Sequence, residues 1–248
     1  MSSPILTIKD GVKITDSGMK IMDYLNLEIN QGDFITILGG NGAGKSTLFN
    51  SISGNLHLTS GEIKINDTLI THMSEEKRAK YIGRVFQDPK MGTAPRMTVS
   101  ENLLIASLRG QKRGFSLRKL GNKKELFYEL CQTIGNGLEN HLDTPAGNLS
   151  GGQRQALSLI MSTLQKPTLL LLDEHTAALD PKTAKQLMTL TSQIIEDNDL
   201  TCLMITHRME DALRYGNRLI VLEQGKIIKD FSKAEKEKLT MPNVLSFF

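Results

Sequence analysis

An α/β core interrupted by a helical insertion is the fold class this sequence predicts. Three observations carry the expectation. A glycine-rich loop, Gly39-Gly40-Asn41-Gly42-Ala43-Gly44-Lys45-Ser46-Thr47, sits between a short apolar segment and a segment with apolar residues at helical spacing. The apolar run at 168–172 is continuous, which suits a strand buried on both faces. Between these landmarks, over about residues 90–165, the pattern turns helical before strand–helix alternation resumes.

Taken in order, residues 4–10 and 20–30 read as strands, the second with Ile21, Leu25, Leu27 and Ile29 on its apolar side. The turn Asn30-Gln31-Gly32-Asp33 feeds a strand at 34–38, and a helix follows the glycine-rich loop from Ser46. A pair of short strands is expected at 61–66 and 68–70, a short helix at 75–80 and a strand at 81–86. The insertion then holds helices at 98–108, opened by Thr98 or Ser100 before Glu101, at 123–134, and at 150–165, ended by Pro167. The core resumes with a strand at 168–172, a helix at 181–196 with Pro181 in its first turn, and a strand at 200–205. A helix at 209–215, a strand at 219–222 and a turn at Gly225 follow, and the tail from Ala234 reads as one charged helix.

Composition narrows the function classes. At 248 residues the chain can hold one α/β domain with an added subdomain. A formal charge of +3 calls for no nucleic acid partner. Two cysteines, Cys131 and Cys202, lie far apart without zinc-type spacing, which suits a reducing compartment. No signal pattern opens the chain and no apolar run approaches the roughly 20 residues of a membrane span. The expectation is a cytosolic protein that reaches a membrane only through a partner.

The glycine-rich loop matches G-x-x-x-x-G-K-[ST]. Glycines let backbone N–H groups converge on a phosphate chain, and the following helix adds its positive end. Lys45 would reach the β- and γ-phosphates and the Ser46 hydroxyl would ligate Mg²⁺. In Leu169-Leu170-Leu171-Leu172-Asp173-Glu174, a buried strand delivers Asp173 to the Mg²⁺ shell and places Glu174 to polarise an attacking water. In isolation this run would equally suit a strand ending in a solvated acidic turn. Leu149-Ser150-Gly151-Gly152-Gln153 gives a second anion site: Ser150 caps a helix whose first N–H groups the glycines leave bare. Two phosphate devices with one Mg²⁺ device point to a nucleotide held between two chains.

In order and spacing these motifs resemble those of an ABC ATPase: Walker A at 39–47, LSGGQ at 149–153 and LLLLDE at 169–174. The resemblance covers essentially the whole chain. It implies a P-loop NTPase core of the ABC type, with an N-terminal antiparallel β subdomain and an inserted helical subdomain. It also implies one domain over 1–248, with the core at about 1–89 and 166–248 and the helical part at about 90–165. On the same ground Gln87 is similar to the glutamine that contacts Mg²⁺ and water and senses the permease. Asp180, in Ala178-Leu179-Asp180, resembles the aspartate of the loop that crosses the dimer, and His207 the switch histidine near the γ-phosphate. The resemblance implies ATP and Mg²⁺ as ligands. Ser150, Gly151, Gly152, Gln153 and Asp180 would act in trans on a nucleotide gripped by the other copy. The implied partners are a second ATPase subunit, an integral membrane permease and, indirectly, an extracytoplasmic solute-binding protein. The implied location is the cytoplasmic face of the cell membrane. Segments 91–98 and 173–181 resemble a subgroup linked to amino-acid import, aromatic amino acids among the candidates.

Three features depart from the family pattern or stand outside it. Where many relatives stack adenine on an aromatic ring, this chain has Val12-Lys13-Ile14-Thr15, so the base is expected to rest on Val12 or Ile14. His175 stands where many relatives have Pro, and the favoured reading is a changed turn without chemistry. Residues 109–124 carry seven basic side chains and no acid; a solvated loop is favoured over contact with anionic headgroups. Two rivals are weighed. A GTPase switch needs N-K-x-D, and Asn122-Lys123-Lys124-Glu125 is only a near miss. A non-transport ABC-type ATPase of DNA repair or the ribosome would carry long insertions or tandem cassettes, and neither is present.

Overall fold

The computed structural model describes residues 4–111 and 120–247, with Asn122 described by its backbone alone. Two sheets organise it. The first is antiparallel and four-stranded: β1 (Leu6–Ile14), β2 (Lys20–Ile29), β4 (Ser60–Ile65) and β5 (Thr68–Leu69), in the order β2-β1-β4-β5. The second holds β3 (Phe34–Leu38), β6 (Ile82–Val85), β7 (Leu169–Asp173), β8 (Cys202–Ile205), β9 (Arg218–Glu223) and β10 (Lys226–Phe231). Its order is β10-β9-β3-β8-β7-β6, parallel from β9 to β6, with β10 returning antiparallel through a turn at Gln224 and Gly225.

Period-two alternation explains how the parallel strands serve two cores. On one face Leu169, Leu171, Leu203 and Ile205 join Ile35 and Ile37 beneath helix α1 (Lys45–Ser53) and the antiparallel sheet. On the other, Leu170, Leu172 and Met204 pack against helix α6 (Pro181–Asp197). Four consecutive leucines in β7 are therefore all fully buried. Helix α2 (Glu75–Arg78) ends in an arginine that is 1% exposed. Its guanidinium donates to the Ser51 and Ile52 carbonyls, at 2.6 and 2.8 Å, and so closes the C-terminal end of α1.

Helices α3 (Val99–Ala106), α4 (Lys124–Gln132) and α5 (Gly151–Thr163) share a cluster of Val99, Leu103, Phe127, Cys131, Leu157 and Ile160. Thr98, not Ser100, caps α3: it accepts from the Glu101 N–H while the Glu101 carboxylate accepts from its own. Ala156 and Leu159 of α5 also join the sheet core, so this helix belongs to both parts.

Two expectations need correction. β1 runs to Ile14 rather than stopping at 10, because its register shifts around Gly11 and pairing then resumes with β2. The tail is not one helix. After α7 (Met209–Arg214) and the last strands come two short helices, α8 (Lys233–Lys236) and α9 (Met241–Leu245). Thr240 and Asn243 form a capping box and Pro242 starts a new helix, while Val244 and Phe247 turn into a cluster with Leu219 and Phe231. Within the basic segment, Lys112, Arg113, Arg118 and Lys119 lie outside the described residues, as does Phe248. Arg109 is not a solvated charge: it donates to the Ser162 and Gln165 carbonyls at the end of α5. Among the described residues no helix is long and apolar enough to cross a membrane.

Candidate active site

The central strand β3 is buried at all five positions and ends where the glycine-rich loop begins. Gly44 then starts α1 at φ 98°, and a Cβ there would stand 2.8 Å from the Ile21 carbonyl. Only glycine satisfies both demands. No side chain caps α1 and its first turn carries no acid, so its N–H groups are left to an anion. The Lys45 ammonium, 7% exposed, curls back onto the Gly39 and Gly40 carbonyls at 2.5 and 3.0 Å. Burial lowers its pKa, and the Glu174 and Asp173 carboxylates pull it back up.

β7 lies two strands from β3, across β8, and delivers its acids beside this loop. Glu174 holds φ 45°, a left-handed conformation that costs a non-glycine residue about 1–3 kcal/mol. This turn aims its carboxylate at His207, which follows β8; Oε1 lies 2.6 Å from the imidazole Nε2. Residues 40–47, Glu174 and His207, together with Ile21, line one cleft of about 190 Å³. Ile21 was not among the candidate residues. It is signalled only by β2 passing over the loop, which no local pattern reveals.

Val12 is 4% exposed and Ile14 is half-buried, and neither lines the cleft. The β1 irregularity turns Val12 inward, so Ile21 offers the apolar surface nearest the phosphate loop. Gln87 is exposed in the loop after β6 and does not line the cleft. That loop is tied to α5 instead: Gln155 donates to the Phe86 carbonyl at 2.8 Å and Arg154 to the Thr93 hydroxyl at 2.7 Å.

The candidate residues Ser150, Gly151, Gly152, Gln153 and Asp180 gather in a second cleft, of about 350 Å³. Ser150 accepts from the Gln153 N–H, and the Gln153 side chain accepts from the Ser150 N–H. The glycines differ. A Cβ on Gly151 would meet only Leu179, at 3.6 Å, whereas one on Gly152 would stand 2.5 Å from Thr183 Cγ2. Gly151 leaves backbone open to a ligand; Gly152 also lets α5 approach α6. Asp180 caps α6, accepting from the Lys182 and Thr183 N–H groups at 3.1 Å. A hydrogen bond from the Thr183 side chain, and then the one from its N–H, hold the carboxyl below the usual range. His175 is 2% exposed with its Nε2 3.1 Å from the Thr191 hydroxyl, and burial lowers its pKa to about 4. It serves the packing of the turn onto α6.

The first cleft is chemically suited to a divalent cation carried by phosphates. Ser46 is exposed, and Asp173 has one oxygen, Oδ2, held by Arg84 at 2.8 Å. These two are hard oxygen donors, the kind that suits Mg²⁺; the Gln87 amide lies outside the lining of the cleft. Among the described residues no group of three or more His, Cys, Asp or Glu forms a separate metal cage.

The sequence profile of the ABC transporter family matches residues 22–177. A tyrosine transport ATP-binding protein of Clostridioides difficile (strain R20291) is 47% identical over 229 residues, 92% of this chain and 90% of that protein. The chain is an ATPase of the ABC transporter family. The phosphonates import ATP-binding protein PhnC of Lactococcus lactis (strain IL1403) is 34% identical to this ATPase over 94% of it and 95% of the relative. Among solved structures, a dimeric ATP-binding cassette in a post-hydrolysis state with ADP and Pi resembles it with a TM-score of 0.77. That match covers 92% of the ATPase and 98% of the other chain at 27% identity. A second cassette of an ABC transporter matches over the full length of both chains, with a TM-score of 0.79 and 27% identity.

Proposed function

We propose that two copies of this ATPase meet head to tail around ATP and drive solute import through a membrane permease. The observation that carries this reading is the division of anion-receptive sites between two separate clefts. One holds Lys45, Glu174 and His207; the other holds the bare start of α5 and carries none of these groups. A single copy therefore grips a triphosphate on one side only. In the closed pair, Ser150 and the 151–152 backbone of one copy, with Asp180 of that same copy beside them, would face the γ-phosphate held by Lys45 of the other and donate to it.

When bound, Mg²⁺ would neutralise charge on the phosphates; Ser46, Asp173 and Gln87 would hold its shell. Glu174 takes a proton from the attacking water, and the bond from His207 keeps that carboxylate oriented. His207 is half exposed on the cleft, so on nucleotide binding its Nε2–H can turn from Glu174 to the γ-phosphate. Hydrolysis removes the group both copies share, so the pair opens. The 87–97 loop, bonded to α5 through Arg154 and Gln155, would pass that motion to the permease. A groove of about 910 Å³ beside Gly92, lined by Met73, Ile105, Leu108 and Met161, suits a permease helix there.

The relative that transports tyrosine, at 47% identity, supports an amino acid, an aromatic one first, as the transported solute. An extracytoplasmic binding protein would then deliver it to the permease, and this subunit would sit peripherally on the cytoplasmic face. The division of the chain into a core and a permease-facing helical part over about 90–165 belongs to the same proposal.

Complementation tests the composite site. Lys45→Ala and Gly151→Asp each abolish turnover alone. Mixed with the permease present, they restore it, because one of the two sites in the mixed pair is intact. No recovery from the mixture would refute a site shared between copies.

A further inference from the structure

Arg84 belongs to none of the sequence motifs, yet it touches Asp173 of one and the helix that begins in another. It pairs with Leu171 across β6 and β7, so Asp173, two residues further along β7, projects from the same face of the sheet. Its Nη2 donates to Asp173 Oδ2 at 2.8 Å, and both side chains are largely buried. Its Nη1 donates to Asn50 Oδ1 at 2.8 Å and to Ser53 Oγ at 3.2 Å, on the helix that begins with Lys45. The guanidinium lies 4.6 Å from the Phe86 ring centroid, next to Gln87. Even its backbone is held, since the Ser162 hydroxyl of α5 donates to the Arg84 carbonyl at 2.8 Å.

A planar cation fixed on this many sides has one carboxylate to serve. We propose that Arg84 is a positioning residue for Asp173, holding Oδ2 so that the other oxygen faces the divalent cation bound with the triphosphate. This rests on reading Asp173 as part of the metal shell. Two effects oppose each other. The guanidinium charge repels the metal, which would weaken its binding. A carboxylate locked in place loses no freedom when the metal arrives, and partners that orient a ligand typically add roughly 10- to 100-fold to metal affinity. The sign of the change on removing Arg84 decides which effect governs. The bonds to α1 keep the cation on the far oxygen, which favours the second.

The test uses the full chain with a non-hydrolysable ATP analogue and Mn²⁺ as probe, read by electron paramagnetic resonance. Binding of the same analogue in EDTA is measured alongside. Arg84→Met is expected to raise the Mn²⁺ concentration for half-saturation about tenfold while changing metal-free binding less than twofold. Arg84→Lys, which can still reach one carboxylate oxygen, should fall between, and it serves if the Met variant does not fold. In an Asp173→Asn background, removing Arg84 should have no further effect on metal binding. Unchanged or tighter Mn²⁺ binding in Arg84→Met and Arg84→Lys overturns the proposal. So does an equal loss of metal-free binding, which would make Arg84 a brace for α1 alone. If Asp173→Asn leaves Mn²⁺ binding intact, the metal-shell reading of Asp173 fails instead.

Discussion

Glu174→Gln separates chemistry from binding and from folding. The substitution keeps the side chain's size and its acceptor oxygen toward His207, now 2.6 Å away, but removes the charge that can take a proton. A positioned general base contributes about 10²- to 10⁴-fold, so turnover should fall at least 100-fold, or about 2.7 kcal/mol in the barrier. ATP binding should not weaken, because a carboxylate leaves the neighbourhood of the γ-phosphate. Stability should stay within about 0.5 kcal/mol, since Gln bears the same cost of the φ 45° backbone. Glu174→Gly gives the contrast: it is equally inactive, but relieving the left-handed strain should stabilise the fold by about 1 kcal/mol. Single-turnover hydrolysis with excess protein, equilibrium ATP binding and urea denaturation read these three quantities. In sedimentation the Gln variant with Mg-ATP should remain a closed pair. Near-normal turnover would remove Glu174 from the base role, and a strict monomer at high concentration would sink the head-to-tail arrangement.

The two glycines of the LSGGQ run should behave differently. Gly152→Ala forces Cβ against Thr183 Cγ2 and should cost about 1–3 kcal/mol in urea denaturation, with Thr183→Ser restoring most of it. Gly151→Ala should leave stability unchanged and lower ATPase activity, because its Cβ makes only an ordinary 3.6 Å contact with Leu179, on the side where the ligand would approach. Buried His175 stays neutral in the fold down to about pH 4, whereas the unfolded chain takes a proton near 6.5. Stability linked to His175 is therefore complete above pH 6.5 and drains as pH falls. The loss from pH 6.5 to 5 should be about 2 kcal/mol greater than in His175→Gln by chemical denaturation. With no aromatic ring among the described residues that line the cleft, adenine loses about 1 kcal/mol of aromatic stacking. ATP and GTP should accordingly bind within about tenfold of each other in direct binding assays; a stronger preference for ATP would contradict this.

Legibility followed the range of the interaction. Thr98 with Glu101, Ser150 with Gln153, and Asp180 before Pro181 are contacts within a few residues; spacing gave the Ser150 cap and Pro181 in the first turn, and left Thr98 and Ser100 as alternatives at the start of α3. The leucines of β7 announced a strand covered on both faces. The tail failed because its charged start, Glu235 to Lys238, reads as the opening of one helix, while the break at Thr240-Met241-Pro242 goes with Val244 and Phe247 reaching a distant cluster. The burial of Val12 was hidden for a similar reason: β1 shifts register against two partner strands around it.

The chain's own order of residues determined the chemistry on offer: a phosphate loop, two acids at a strand end, a capped glycine pair, and a histidine after a strand. Those are short-range patterns, each set by backbone and side-chain needs within one turn or one strand. Tertiary structure alone decided which of them meet. The parallel order β3-β8-β7 brings Lys45, His207 and Glu174 into one cleft and keeps Ser150 to Gln153 out of it. It also placed Arg84 on Asp173, 89 residues away along the chain. Strand order is settled by which apolar faces bury best against α1, α5 and α6, a global property that no single segment encodes.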